Sequence, residues 1–586
     1  MERYTPDEQQ RIDARLTGFL DQLAQYQAGT LSEDAFRPLR LRNGLYFMRE
    51  APMLRVAIPY GRLASRQLRR LARIARQYDR GYAHLTTRQN VQLHWVTLAD
   101  LPAILTELAE VGLYSIQTSG PTIRNITTDA LAGAAADERA DPRPWCEILR
   151  RWSLMHPAFD NLPGKFKIAV TGSPLDRALI RVHDLGFELH HDADGALGFR
   201  VVIGGGLGRN PALAEEIEDF LPWPHLRSYA EAVLRVYDRL GRRGIPYKTR
   251  LKTLVQTVGR DQIQHLVRQE WAGLADGRLT LSEAELSQVE ALFAPPAYRP
   301  DPRDDIRYHR HLAANPAFAA WVQRNTQAHR ETGFALVTLS TKGPATAPGD
   351  LTTEQMEQVA RWAEAYSFGE VRVTREQNLV LAHVAQRDLF ALWEQALRAG
   401  LAEPHRGLAT DITACPGGRY CDLAKAETAS LARAIQHRLA DPALIQDIGE
   451  LTLNVSGCVN GCAHHGVAQI GLRGVEKGGQ DGFQIALGGE TGQVTHLAEI
   501  LGPALAAAEI PGAVARLIET YQQLRHPREP FIDTLRRVGL PRFREAVYAP
   551  LTPHLPGRHR LAPAGQSFQP THEIGAARCM RIGHGN

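Results

Sequence analysis

The sequence predicts an internally duplicated α+β protein. Three observations carry that expectation: β-α-β-α patterning early in the chain, its return at a constant offset of 288 residues (Tyr78 to Tyr366), and two tight cysteine pairs in the second half alone. At 586 residues the chain exceeds the size at which one core stops growing, so several units are expected.

The first helix is announced by Thr5, Pro6 and Glu8, a capping box with proline in the first turn. Ile12, Leu16, Phe19, Leu20 and Leu23 then form one apolar stripe at helical spacing. Met53 to Ile58 reads as a strand, and Leu68, Leu71, Ala75 and Tyr78 mark a helix. Leu85 to Val96 reads as a second strand, and a second helix follows from about Asp100 to Gly112. The offset of 288 pairs Gly81 with Gly369, Thr86 with Thr374, Gln89 with Gln377, Asn90 with Asn378 and Leu93 with Leu381. So many ungapped identities argue for duplication rather than chance. Weaker echoes follow: Asn125-Ile126-Thr127 against Asp411-Ile412-Thr413, and Ile203-Gly204-Gly205 against Leu487-Gly488-Gly489.

These signals divide the chain into an N-terminal helical segment (1–40), a first half-repeat (41–115), a larger domain (116–295), a linker (296–332), a second half-repeat (333–403), a second larger domain (404–550) and a tail (551–586). The tail, rich in Pro, Gly, His and Arg and without periodicity, is expected to be extended or partly disordered. The halves also differ. Arg88 in the first meets Glu376 in the second, and only the second places a cysteine, Cys415, just after the Ile-Thr pair.

Composition narrows the function classes. With 44% hydrophobic and 23% charged residues the chain is an ordinary globular protein, and a net charge of +4 is too small to argue for nucleic acid. No run of about eighteen apolar residues suggests a membrane span. The opening MERYTPDEQQ is charged and lacks the apolar core of a secretory signal. Six cysteines in so long a chain make no disulfide framework, so a reducing cytoplasm is the expected home. Gly204 and Gly206 are followed by Arg209, which breaks a dinucleotide fingerprint, and no Walker A motif is apparent. Electrons are therefore expected from another protein.

Cys415 and Cys421 form one pair, Cys458 and Cys462 the other, both on glycine-bearing loops that suit thiolates converging on iron or zinc. Structural zinc prefers closer spacing than Cys-x5-Cys, and ligand-free buried thiols fit poorly with two such pairs. Four thiolates are what a [4Fe–4S] cluster needs. Cys146 and Cys579 stand alone and read as ordinary thiols.

Thr413-Ala414-Cys415-Pro416, Cys421 and Ser456-Gly457-Cys458-Val459-Asn460-Gly461-Cys462 resemble the sulfite/nitrite reductase family, which uses sirohaem and a [4Fe–4S] cluster. The resemblance spans about Arg37 to Tyr548 and looks closest to the bacterial assimilatory sulfite-reducing haemoproteins. It implies two ferredoxin-like half-repeats with two larger α/β domains that bind sirohaem and cluster. By the same resemblance, Cys415, Cys421, Cys458 and Cys462 hold the cluster, and Cys462 also bridges to the sirohaem iron. The substrate cations map onto Arg88, Arg124, Lys165 and Lys167. An asparagine frequent in sulfite-reducing relatives is replaced here by Gly120. Sirohaem carries eight carboxylates, so the basic stretch Lys248-Thr249-Arg250-Leu251-Lys252, with Lys248 and Arg250 foremost, and the run Gly204-Gly205-Gly206 are expected to contribute to its binding.

Without the resemblance, a Lys-x-Lys strand reads as a solvated edge and the glycines as a turn. His464 and His465 read as hydrogen-bonding partners rather than haem ligands. The resulting expectation is six-electron reduction of sulfite to sulfide, fed by a flavoprotein subunit or ferredoxin. The alternatives are nitrite reduction to ammonia, or a zinc-bearing non-catalytic protein of the same fold.

Overall fold

The computed structural model describes residues 4–549 apart from 246, 300–303 and 344–345. The tail from 551, with Cys579, lies outside the described residues. The duplicated α+β architecture is present. Helix Pro6–Gln27 opens on the expected capping box: Thr5 Oγ1 accepts from Glu8 N (3.2 Å) and Glu8 accepts from Thr5 N (2.8 Å). Its apolar stripe buries Ile12, Phe19 and Leu23. The stretch read as a linker carries helices Asp304–Ala314 and Pro316–Asn325.

One element differs from its sequence reading. Leu85 to Val96 is not a single strand but part of a hairpin, Tyr82–Leu85 against Val91–Leu93. The cause is the Thr86–Asn90 turn. Thr86 N donates to Asn90 O (2.9 Å), Asn90 N donates to Thr86 Oγ1 (3.0 Å), and Gln89 adopts a φ of +58°. Thr374, Gln377 and Asn378 repeat this turn in the second half, with Gln377 at +64°. Left-handed backbone is uncommon for glutamine, and each side chain offsets it by a bond to the other half. Gln89 Nε2 donates to Val373 O (3.1 Å), and Gln377 Nε2 to Leu85 O (2.9 Å). The repeated identities are turn and seam residues.

The halves also exchange strands. Arg62–Ala64 of the first pairs with Glu370–Val373 of the second, and Asp350–Thr352 of the second pairs with Tyr82–Leu85 of the first. Each five-stranded sheet is therefore composite, and residues of both half-repeats form a single core that includes Leu54, Leu93, Val337 and Leu381. Each larger domain has a mixed sheet. Ile168–Thr171 runs parallel to Leu185–His191, as Leu453–Ser456 does to Ile470–Lys477. Thr127 bridges this sheet edge in parallel fashion, and Thr413–Ala414 does so in the other domain. After each sheet the chain loops back on itself, Gly206 bridging Ala212 and Glu490 bridging His496. No helix among the described residues is long and apolar enough to cross a membrane.

Close approach explains Gly205, where a Cβ would lie 2.4 Å from Arg181 O and 2.6 Å from His183 O. Gly205→Ala is expected to destabilise the protein by about 1–3 kcal/mol through overpacking. Gly18→Ala, on an open face of the first helix, should stabilise it by about 1 kcal/mol. Denaturant titration of both variants checks the pair.

Candidate functional site

A cavity of about 690 Å³ opens between the first half-repeat and the two larger domains. All four paired cysteines line it, together with Arg88, Arg124, Lys165 and Lys167. Arg37, Arg40, Arg55, Arg209, Arg250 and Lys252 add to the positive side, and Asp422 is the lone carboxylate among the described lining residues. Ten cations face one acid.

The turn described above presents Arg88. Next to it, Thr87 Oγ1 donates to Cys462 O (2.6 Å), so one bond ties the cationic turn to the cysteine loop. Arg88 donates to Thr127 Oγ1 (2.9 Å) and Asn125 O, and also meets His183 Nε2. Arg124 donates to Thr118 O (3.0 Å) and Gly120 O (2.7 Å), while its Nε is buried without a partner. Gly120 thus acts through its carbonyl. Lys165 and Lys167 flank the fully buried Phe166 and turn the opposite way from it. Neither ammonium makes a hydrogen bond or ion pair among the described residues. Lys167 is anchored instead by its backbone N, which donates to Asp184 Oδ2 (2.9 Å), and Arg250 grips the same carboxylate at 2.7 and 3.1 Å.

Confining this charge depresses the innermost cations. Burial, then Arg124, pulls Arg88 down to about 9, which still leaves it cationic at neutral pH. Arg124 is lowered by burial against the favourable pull of Tyr46. Lys165 is open to the cavity by surface area yet enclosed by protein; enclosure, then Arg250 and Arg124, brings its ammonium to about 8. The open space beside it is the cavity itself. Lys167 falls further, through burial, Arg88 and Lys165.

The cysteine loops depend on glycine. Gly457 N donates to Cys415 Sγ (3.2 Å). Gly417 has a φ of +66°, and a Cβ there would lie 2.3 Å from Thr428 Oγ1. Gly461, also at +66°, lets the Cys458–Cys462 loop pack on Gly208, whose N would lie 3.2 Å from a Cβ at 461. Burial, then the neighbouring Cys462, raises Cys421 to about 11 and Cys458 to about 12, and pushes Cys415 higher still. Among the described residues no three His, Cys, Asp or Glu side chains are close enough to share one metal ion. Four thiols that influence one another across one space, yet do not converge on a point, suit a polynuclear cluster better than a single zinc. His464 lines the same cavity, and burial keeps it well below its ordinary pKa, hence neutral.

Lys248, Gly204, Gly205 and Gly206 are not on the cavity lining. Gly206 acts one layer back, its carbonyl accepting from Lys252 Nζ (3.2 Å), which also donates to Arg209 O (3.0 Å) and Asn210 O (2.7 Å). Lys252 ends the basic stretch expected at the cofactor and, like Arg250, lines the cavity. Sequence reasoning missed Thr87, Asp184, Arg37, Arg55 and Arg209. Each enters the site by long-range packing and carries no local signal.

Duplicated halves joined by exchanged strands, enclosing a cationic cavity with four thiols, define a redox protein built to hold an iron–sulfur cluster beside a polyanionic group. The nitrite and sulphite reductase 4Fe-4S domain model matches residues 119–273 and 408–555, and the nitrite/sulfite reductase ferredoxin-like half domain matches 48–111 and 328–399. The chain belongs to this nitrite and sulfite reductase family and is an oxidoreductase. A ferredoxin–nitrite reductase of Synechococcus elongatus is 32% identical over 80% of this chain and 85% of its own length. A ferredoxin sulfite reductase of Mycolicibacterium paratuberculosis is 28% identical over 82% and 81%. The structure of the NirA protein of Mycobacterium tuberculosis superposes with a TM-score of 0.73 at 25% identity, covering 88% of this chain and 92% of that one. The family's cofactors, a [4Fe–4S] cluster and sirohaem, fit this cavity. The thiols suit the cluster, and the excess cations with the orphaned Arg124 Nε suit the sirohaem carboxylates or an anionic substrate.

Cofactor-free protein gives a test of the depressed lysines. A lysine whose folded pKa is about 8 binds fewer protons when folded than when unfolded at pH values between 8 and its ordinary 10.5. Stability therefore rises with pH across that window. Denaturation of apoprotein from pH 7 to 9, below the range in which the raised Cys415, Cys421 and Cys458 thiols oppose it, should show this rise, and Lys165→Met should flatten it.

Proposed function

We propose that this protein reduces sulfite to sulfide, a six-electron reduction that consumes protons and releases water. The observation that carries this reading is the pair of unpartnered ammonium groups, Lys165 and Lys167, beside Arg88 and Arg124 in one cavity. Four cations suit an oxyanion that carries up to two negative charges better than the singly charged nitrite. When bound, the sirohaem and cluster supply the electrons and the iron at which the substrate is held.

Cys415, Cys421, Cys458 and Cys462 are assigned to the cluster. Cys462 is the one exposed thiol of the four and is tied to the cationic turn by Thr87, which supports its assignment as the bridge to the sirohaem. Arg250 and Lys252, with Arg37 and Arg209, are assigned to the cofactor carboxylates. Gly206 supports that wall from behind through its bond to Lys252. Lys165, whose ammonium is depressed to about 8, is suited to give up a proton near neutral pH, and it regains one from solvent between steps. Arg88 and Arg124 stay charged and orient the oxyanion.

Reduction of nitrite to ammonia is the second reading, favoured by the ferredoxin–nitrite reductases among the relatives. Those names and the ferredoxin sulfite reductase also favour a ferredoxin as donor over a flavoprotein subunit. Steady-state kinetics with each oxyanion separate the readings, with a higher kcat/KM for sulfite expected. Lys167→Gln should cost sulfite roughly 10- to 100-fold in kcat/KM, the worth of about 1.5–3 kcal/mol for a charged hydrogen bond, and cost nitrite less. A higher kcat/KM for nitrite in the wild type overturns the sulfite assignment.

A further inference from the structure

A second cavity, of about 220 Å³, lies at the seam between the halves and shares no lining residue with the first. Its origin follows from the duplication. Thr127 and Thr413 occupy equivalent ladder positions, and seven residues further on Tyr420 in one half corresponds to Ala134 in the other. The Tyr420 hydroxyl meets that of Tyr82 (2.6 Å), and its ring lies 4.4 Å from His94. At the offset of 288, the mates of Tyr82, His94 and Trp95 are Glu370, Ala382 and His383. Ala134 packs in one apolar cluster with Ala382. The ring that fills this place in one half is thus absent from the other, and the second cavity, lined by Gly133, Glu370 and His383, occupies the space.

Its walls are chemically specific. Arg143 is 6% exposed and donates to Asp141 through Nε and Nη2, and its Nη1 makes no hydrogen bond among the described residues. Arg62 lines the cavity beside it. Glu370 is held by one bond to each oxygen, from Arg62 Nε (2.5 Å) and Arg372 Nε (2.7 Å). Two guanidinium groups, Arg62 and Arg143, thus line the cavity beside one carboxylate that is already ion-paired. Phe293 forms an apolar side, under Arg62 and Arg143 at 5.4 and 5.3 Å. Across from it, Phe368 is 52% exposed and holds a φ of +51°, a strained conformation for a bulky residue. Tyr298 packs edge-on to Phe368 (5.9 Å). A volume below the about 300–1,000 Å³ of sites for drug-sized ligands limits the occupant to a small molecule.

We propose that this second cavity binds a small carboxylate with an apolar body, its anionic end on Arg143 and its body between Phe293 and Phe368. A guanidinium fork matches a planar carboxylate, and the aromatic walls give a bare inorganic oxyanion nothing to displace water against. The site joins the strand Arg62–Ala64 of the first half to Glu370–Val373 of the second, so a ligand there would brace the exchanged seam.

The test uses the full-length holoenzyme and 4-bromobenzoate as probe. Calorimetry should give a Kd of about 1 mM or tighter, and a soaked crystal should show bromine between Phe293 and Phe368. The exposed Ala294, at the cavity rim, allows Ala294→Trp to close the mouth without disturbing the core. That variant should keep wild-type turnover and weaken the probe at least roughly tenfold. Neutral 4-bromobenzamide and inorganic sulfate should not bind at this site. Absence of binding, equal binding of the amide, bromine elsewhere, or affinity unchanged in Ala294→Trp would each overturn the proposal, whatever the oxyanion preference of the enzyme.

Discussion

Confined positive charge is the constraint on which this structure turns. Ten basic side chains line one cavity against a single carboxylate, and the innermost of them, Lys165, Lys167, Arg88 and Arg124, all have depressed pKa values, first because burial strips them of water and then because neighbouring cations repel them. Such an arrangement is costly in an empty protein and favourable once anions enter. A polycarboxylate macrocycle and an oxyanion relieve the cost together, so cofactor binding and substrate binding draw on the same field. The thiols obey the same logic from the other side. Burial and mutual repulsion hold them protonated until a metal takes the proton's place.

Duplication supplies the frame that makes this confinement possible. The exchanged strands Arg62–Ala64 and Asp350–Thr352 bind each half into the other's sheet, and Gln89 and Gln377 cross the seam at the turns. Of the two equivalent sheet faces, one lines the cofactor-sized cavity. On it stand Arg55, Gln92 and His84, paired across adjacent strands. The mate face presents Leu336, Val380 and Ala382, and Leu131, Ala134 and Ala135 cover it. One face became polar and open, the other apolar and filled. The change from Arg88 to Glu376 belongs to this divergence: Arg88 points into the charged cavity, and Glu376 pairs with Arg375 at the surface.

Much of this was legible in the sequence because it is local or repeated. The helix capped by Thr5 and Glu8, the offset of 288 and the paired cysteines are short-range signals that survive without knowledge of packing. The hairpin at Thr86 was misread as a continuous strand because its apolar and β-branched residues run through the turn. The bonds that bend it, from Thr86 and Asn90, are visible only in three dimensions. Asp184 and Thr87 were hidden for a different reason. Their roles come from partners far along the chain, and no spacing rule connects Asp184 to Arg250 or Thr87 to Cys462. Lys248 is exposed and off the lining that Arg250 and Lys252 join, because it precedes the helix Leu251–Val258 that orders the end of the stretch.

The account stands on one claim, that the cavity holds a sirohaem beside a cluster carried by Cys415, Cys421, Cys458 and Cys462. Metal analysis joined to an absorption spectrum tests it most directly, on protein purified anaerobically from cells that make sirohaem. The account predicts a coloured protein with a macrocycle spectrum and about five irons per chain, four in the cluster and one in the sirohaem. A colourless protein carrying a single zinc would contradict it.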